Sequence, residues 1–129
     1  MLDTNMVSLA IRGDAAVLAC LKAVPMAWLC ISSITHAEIM YGLAKKPNAV
    51  RLHRAVSEFL RRVEVLPFDG CASDHYGTFR YELERTGKCL SSFDMMIAAH
   101  AHAVSAILVT HDLAFHQIDG LMVEDWAER

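Results

Sequence analysis

The chain predicts an α/β fold: a parallel β-sheet of four to five strands sandwiched by helices. Three observations carry this. Short apolar runs too brief to be helices alternate with longer segments of helical period. Capping residues and Gly or Pro stops mark the joints between them. Four carboxylates, Asp3, Glu38, Asp94 and Asp112, fall where strands should pass into helices. Such alternation is the pattern of right-handed crossovers on a parallel sheet.

The elements follow in order. Met1-Leu2 is a very short apolar start closed by Asp3. Residues 5–12 read as a helix stopped by Gly13. Asp14 caps a second helix that runs toward Val24 and is ended by Pro25. Residues 28–32 read as a buried strand. Thr35-His36-Ala37-Glu38 matches a capping box, opening a helix through Ile39, Met40 and Leu43 that stops near Lys46, before Pro47. Asn48 is expected to cap the next helix, through Val56, Phe59 and Leu60. Residues 63–68 form a further strand, and Asp69-Gly70 a turn. A long helix then carries Tyr76, Phe79, Tyr81 and Leu83 partly inward and ends at Gly87. Ser91 to Asp94 opens a helix running to about Ala103. Residues 106–110 make another strand, and 121–123 a short edge strand.

A length of 129 residues suits one domain, taken here as 1–129. The apolar fraction is 54%, against roughly 45–50% for ordinary soluble domains, which anticipates an association surface. No apolar stretch approaches the roughly 20 residues of a membrane span, so no membrane partner is expected. Asp3 and Arg12 interrupt any secretory signal at the start. Cys20, Cys30, Cys71 and Cys89 form no CxxC pair, which argues for reduced thiols, no zinc site and a cytoplasmic location. The net charge of −3 is not that of a protein that coats DNA. A nucleic acid would need a local basic patch, for which Arg51, Arg54, Arg61 and Arg62, with Lys45 and Lys46 upstream, are candidates beside the plainer reading of a solvated face.

Each of the four acids has an ordinary explanation as a helix cap or turn residue. Together they are harder to dismiss, because all four follow core segments at the carboxyl edge of one sheet, where α/β folds bind ligands. Two carboxylates about 4 Å apart repel by roughly 4 kcal/mol at an effective dielectric of 20. A hard divalent cation relieves that repulsion, and oxygen donors suit Mg²⁺, with Mn²⁺ as a substitute. Such a site suits cleavage of phosphodiesters. Thr4, Asn5, Thr110 and His111 flank the acids as supporting hydrogen-bonding groups.

The segments Leu2-Asp3-Thr4-Asn5, Ile31-Ser32-Ser33-Ile34-Thr35 with Glu38 and Tyr41-Gly42, Phe93 to His100, Val109-Thr110-His111-Asp112-Leu113 with Phe115, and Val123-Glu124-Asp125-Trp126 occur in an order and spacing that resembles the PIN-domain ribonucleases. Within them the chain is most similar to VapC-type toxins of VapBC toxin–antitoxin modules. The resemblance covers nearly the whole chain. It implies a single PIN-like domain in which Asp3, Glu38, Asp94 and Asp112 are catalytic, Mg²⁺-binding acids. It implies endonucleolytic cleavage of RNA, in several such toxins a tRNA, a cognate VapB-type antitoxin as partner, and a homodimer. Two departures stand out. Relatives often carry more residues before the first acid, so the first strand here is minimal or the start lies upstream of Met1. His111 stands where relatives often have Asn.

Alternatives within reach are an RNA-processing PIN nuclease that is not a toxin, and a non-catalytic binding module with an acidic pocket. An aspartyl-nucleophile phosphotransferase would want a second Asp where Asn5 stands, and a receiver module a Lys after Val109. No Gly-rich phosphate loop or Ser-His-Asp order is present. Of the seven histidines, His100 and His102 lie two apart on one helix and face different directions, a poor chelate.

Overall fold

The structure is a computed structural model and describes residues 1–127; Glu128 and Arg129, the end of the expected domain, lie outside the described residues. Seven helices are described: α1 (Thr4–Ile11), α2 (Ala15–Ala23), α3 (Ser33–Ala44), α4 (Val50–Leu60), α5 (Gly70–Arg85), α6 (Ser92–Ala103) and α7 (Leu113–His116). The strands are short: β1 (Cys30–Ser32), β2 (Glu64–Leu66), β3 (Leu108–Val109) and β4 (Val123–Glu124). β1 pairs in parallel with β2, and β3 with β4.

Residues 1–3 lie between the two pairs. The Leu2 amide donates to the Cys30 carbonyl at 3.0 Å, and the Asp3 amide to the Val109 carbonyl at 3.0 Å. The Val109 amide returns a bond to Met1 at 2.8 Å. Side chains then alternate across this backbone, as extended strands require. Leu2, Ile31 and Val109 enter one apolar layer with Met6, Val7, Val17, Val56 and Phe59, from α1, α2 and α4. Met1 and Leu108 enter the other, with Met95, Ile97, Ala98 and Phe115, from α6 and α7. Each fully buried large side chain contributes roughly 1.5–3 kcal/mol, so the two layers fix the central segments and their carboxyl ends.

Several boundaries differ from the sequence reading. Residues 26–28 form one turn of 3-10 helix after Pro25, and Trp28 is 76% exposed, so the strand begins only at Cys30. α3 starts earlier than a capping box at Thr35 allows. Ser32 is its N-cap, accepting from the Ile34 amide at 3.1 Å, and Thr35 is buried within the first turns. Glu38 is therefore the sixth residue of α3, one turn beyond any capping position. Ala49, not Asn48, precedes α4, and it makes no side-chain cap. Asp69 caps α5 rather than merely turning the chain, accepting from the Ala72 amide at 3.0 Å. Tyr81 points outward, 65% exposed.

His100 is buried on α6. Its Nδ1 lies 2.8 Å from the Ser32 hydroxyl, and its ring meets Phe68 edge-on at 5.5 Å. Because Ser32 Oγ already accepts from Ile34, its proton is available to donate to an unprotonated Nδ1. His102 faces elsewhere, stacked on His75 of α5 with nitrogens 2.6 Å apart. Burial lowers the His100 pKa below its ordinary value, partly opposed by Asp69. The unfolded chain then binds the proton first as pH falls. Stability contributed by neutral His100 is present above about pH 6.5 and is lost as pH falls through the lower folded value. His100→Asn, which keeps an acceptor near the Nδ1 position, should flatten the fall in urea midpoint between pH 7.5 and 5. An unchanged pH slope would show that His100 does not titrate in this way.

Candidate active site

Asp3 is 3% exposed. It is also the N-cap of α1, its Oδ1 accepting from the Met6 amide at 2.8 Å. The sequence favours this, because an Asp directly before an apolar-periodic segment satisfies a free helix amide. Burial pushes the Asp3 carboxyl above its ordinary pKa. Hydrogen bonds from the Thr110 hydroxyl and the Met6 amide oppose that rise, and the like charges of Asp94 and Asp112 add to it. Three of the four acids thus share one electrostatic neighbourhood.

Asp94 is the third residue of α6, and its amide donates to the Ser91 cap at 3.2 Å. Its carboxylate sits in the first turn, where the helix dipole favours negative charge. Asp112 caps α7, accepting from the Ala114 amide at 2.9 Å, and is exposed. Thr110 is wholly buried. Its hydroxyl oxygen accepts from the Asp112 amide at 3.0 Å while bonding the Asp3 carboxyl. Glu38 reaches the same end of α1 by another route. The Thr4 hydroxyl donates to Glu38 Oε1 at 2.6 Å, with Thr35 Oγ1 at 3.4 Å. Asn5 is exposed beside them.

His111 Nδ1 lies 2.7 Å from Asp125 Oδ2. Asp125 is the residue the sequence reading missed. No local spacing signals the pair, since 14 residues separate them and only the β3–β4 register, Val109 opposite Glu124, brings them together.

Among the described residues no group of three or more His, Cys, Asp or Glu side chains stands close enough to hold one ion. The donor chemistry nevertheless fits a hard divalent cation: every candidate donor is a carboxylate, and Asp3 is buried among like charges.

The PIN domain profile matches residues 1–121. The chain belongs to the PIN-domain family. A relative from Shigella flexneri, the tRNA(fMet)-specific endonuclease VapC, is 36% identical over 128 residues, covering 98% of this chain and 97% of its own. The enzyme of the same name from Salmonella typhimurium is 41% identical over 99 residues, 76% of this chain and 75% of its own. The toxin–antitoxin pair VapBC2 of Rickettsia felis, solved bound to a DNA fragment from its promoter, contains a chain that superposes with a TM-score of 0.90 at 33% identity. That likeness covers 98% of this chain and 97% of that one. These relatives place the chain among VapC-type PIN ribonucleases, which are endonucleases of toxin–antitoxin modules. Among the described residues no helix is long and apolar enough to cross a membrane, and all four cysteines are free thiols.

Proposed function

We propose that this chain is a divalent-metal-dependent endoribonuclease toxin that hydrolyses a tRNA and is held inactive by a cognate VapB-type antitoxin. The observation that carries this is the convergence on buried Asp3 of charge from Asp94 and Asp112, in a chain that matches VapC relatives over nearly its full length. Asp3, Glu38, Asp94 and Asp112 would hold Mg²⁺, or Mn²⁺ in its place, which supplies a lowered water pKa and neutralises phosphate charge.

The chain's own part is preorganisation. Thr110 and the Met6 amide fix the Asp3 carboxyl, and the same Thr110 sets the turn that presents Asp112. Thr4 fixes Glu38. Holding Asp3, Glu38 and Asp112 in place reduces the reorganisation needed at the reacting phosphate. Hydrogen bonds on both flanks of residues 1–3 also support reading the two strand pairs as one five-stranded parallel sheet within a single domain over 1–129.

Leu113 is 74% exposed beside Asp112, and Phe93 54% beside Asp94. Such apolar exposure next to charged groups suits an interface, and with the apolar excess it supports a homodimer as well as an antitoxin. A clean monomer at micromolar concentration by sedimentation would remove the dimer. The toxin reading is tested by induction in a bacterial host. Wild type should arrest growth, Asp94→Ala should not, and coexpression of a cognate VapB-type antitoxin should restore growth. Equal toxicity of the two proteins would refute it.

A further inference from the structure

A groove of about 490 Å³ starts beside Glu38, one of the four candidate acids, with Thr4 and Asn5, and runs out to Arg12, Lys45 and Lys46. Its walls are helical rows. Asn5, Ser8 and Arg12 on and just after α1, and Glu38, Gly42 and Lys45 on and just after α3, recur at the spacing that keeps residues on one face. Seven residues of helix span about 10 Å, so Glu38 and the cations stand at opposite ends of a short channel. Leu52 and Val56 of α4 line it as well.

The cations are exposed, and none enters a salt bridge among the described residues. The Lys45 ammonium lies over the exposed Tyr41 ring at 4.6 Å. Gly42 occupies the middle of the α3 wall. A Cβ built there meets nothing within 4 Å, so no packing demands glycine, although mid-helix glycine costs about 1 kcal/mol against alanine. Its missing side chain leaves the channel wide between Glu38 and Lys45.

We propose that this groove seats the ribose-phosphate backbone of single-stranded RNA leaving the acidic site, with Lys45, Lys46 and Arg12 on phosphates and Gly42 giving clearance. The inference rests on the endoribonuclease reading and says where substrate lies. Charge complementarity argues for RNA: the chain is acidic overall at −3, and a polyanion approaching a cluster of carboxylates needs cations a fixed distance away.

The test is steady-state cleavage of a single-stranded RNA oligonucleotide with Mn²⁺ across a salt series, comparing wild type, the double variant Lys45→Ala/Lys46→Ala, and Gly42→Leu. The double variant should raise KM about tenfold and lower the slope of log KM against log salt by about 1.4, two contacts at about 0.7 each. Its kcat should stay within about twofold, since phosphate contacts away from the cut bind ground and transition states alike. Gly42→Leu should raise KM with an unchanged salt slope and an unchanged or higher melting temperature. Unaltered KM and slope in both variants overturn the groove while leaving a cleaving wild type, and so the endoribonuclease reading, intact. A wild type that cleaves no RNA overturns both. If the variants keep wild-type RNA kinetics but lose inhibition by an oligoglutamate peptide, the groove takes an acidic protein segment, and the RNA assignment is wrong.

Discussion

Asp94→Ala should lower kcat/KM for RNA cleavage about 10³-fold, roughly 4 kcal/mol of transition-state stabilisation. Asp94 is the cleaner choice because no hydrogen bond or ion pair from the described residues holds its carboxylate, whereas Asp3 also caps α1, and losing a cap costs about 1 kcal/mol of stability. Asp3→Asn keeps an acceptor for the Met6 amide and should still lose activity to a similar extent, since an amide is a weaker donor to a hard cation. His111→Ala should cost about tenfold or less, because His111 hydrogen-bonds Asp125 and acts on the site at one remove. Single-turnover cleavage of one labelled RNA by the four proteins measures all of this. A His111→Ala loss equal to that of Asp94→Ala would mean the chemistry is organised around a different set of residues.

Divalent metal should stabilise the fold, and the response should depend on the same acids. A ligand at about 100 times its dissociation constant adds roughly 2.7 kcal/mol, several degrees in melting temperature for a chain of this size. Burial and neighbouring carboxylates hold the Asp3 pKa above its ordinary 3.8. A raised carboxyl pKa means that the folded state keeps its proton longer than the unfolded state, so stability falls as pH rises from 3.8 through the folded value. The full penalty applies at neutral pH. Asp3→Asn or Asp94→Asn should therefore melt higher than wild type in EDTA at pH 7, with the advantage of Asp3→Asn disappearing below about pH 4, and both should lose most of the Mn²⁺ response. Thermal melts with and without Mn²⁺ decide it. No shift at saturating Mn²⁺ would weigh heavily against a shared metal site.

Much of the helical frame could be read from residue types alone. Asp14, Ser91 and Gly87 act locally, as caps and a stop within a few residues of the element they bound, and the structure places α2, α5 and α6 where those residues indicate. Apolar runs overextend the strands because they do not say where pairing ends. Residues 28–32 and 106–110 look continuous, yet Pro25 spends three residues on a turn before β1, and β3 is bounded by its partners rather than by composition. Thr35 and Glu38 mimic a capping box, while the true cap, Ser32, is the last residue of β1. The junction is tighter than separate strand and cap signals suggest. The neighbourhood of Asp3, Asp94 and Asp112 was legible because parallel topology sends all strand ends to one edge. The bond from Thr110 to Asp3 needs the register of residues 1–3 against β3, and the bond from Thr4 to Glu38 needs α1 packed against α3. The His111–Asp125 pair depends on the β3–β4 register in the same way.

As proposed, these carboxylates support hydrolysis by water rather than attack by the ribose 2′ hydroxyl. Water attacking the phosphorus in line displaces the 3′ oxygen and leaves a 5′-phosphate and a 3′-hydroxyl. Attack by the 2′ oxygen displaces the 5′ oxygen and leaves a 2′,3′-cyclic phosphate and a 5′-hydroxyl. End-group analysis of RNA cut by the purified chain in Mn²⁺, with an EDTA control, separates the two. Hydrolysis by water should give 5′-phosphate ends that vanish with EDTA, and cyclic-phosphate ends, or cleavage that survives EDTA, would contradict it.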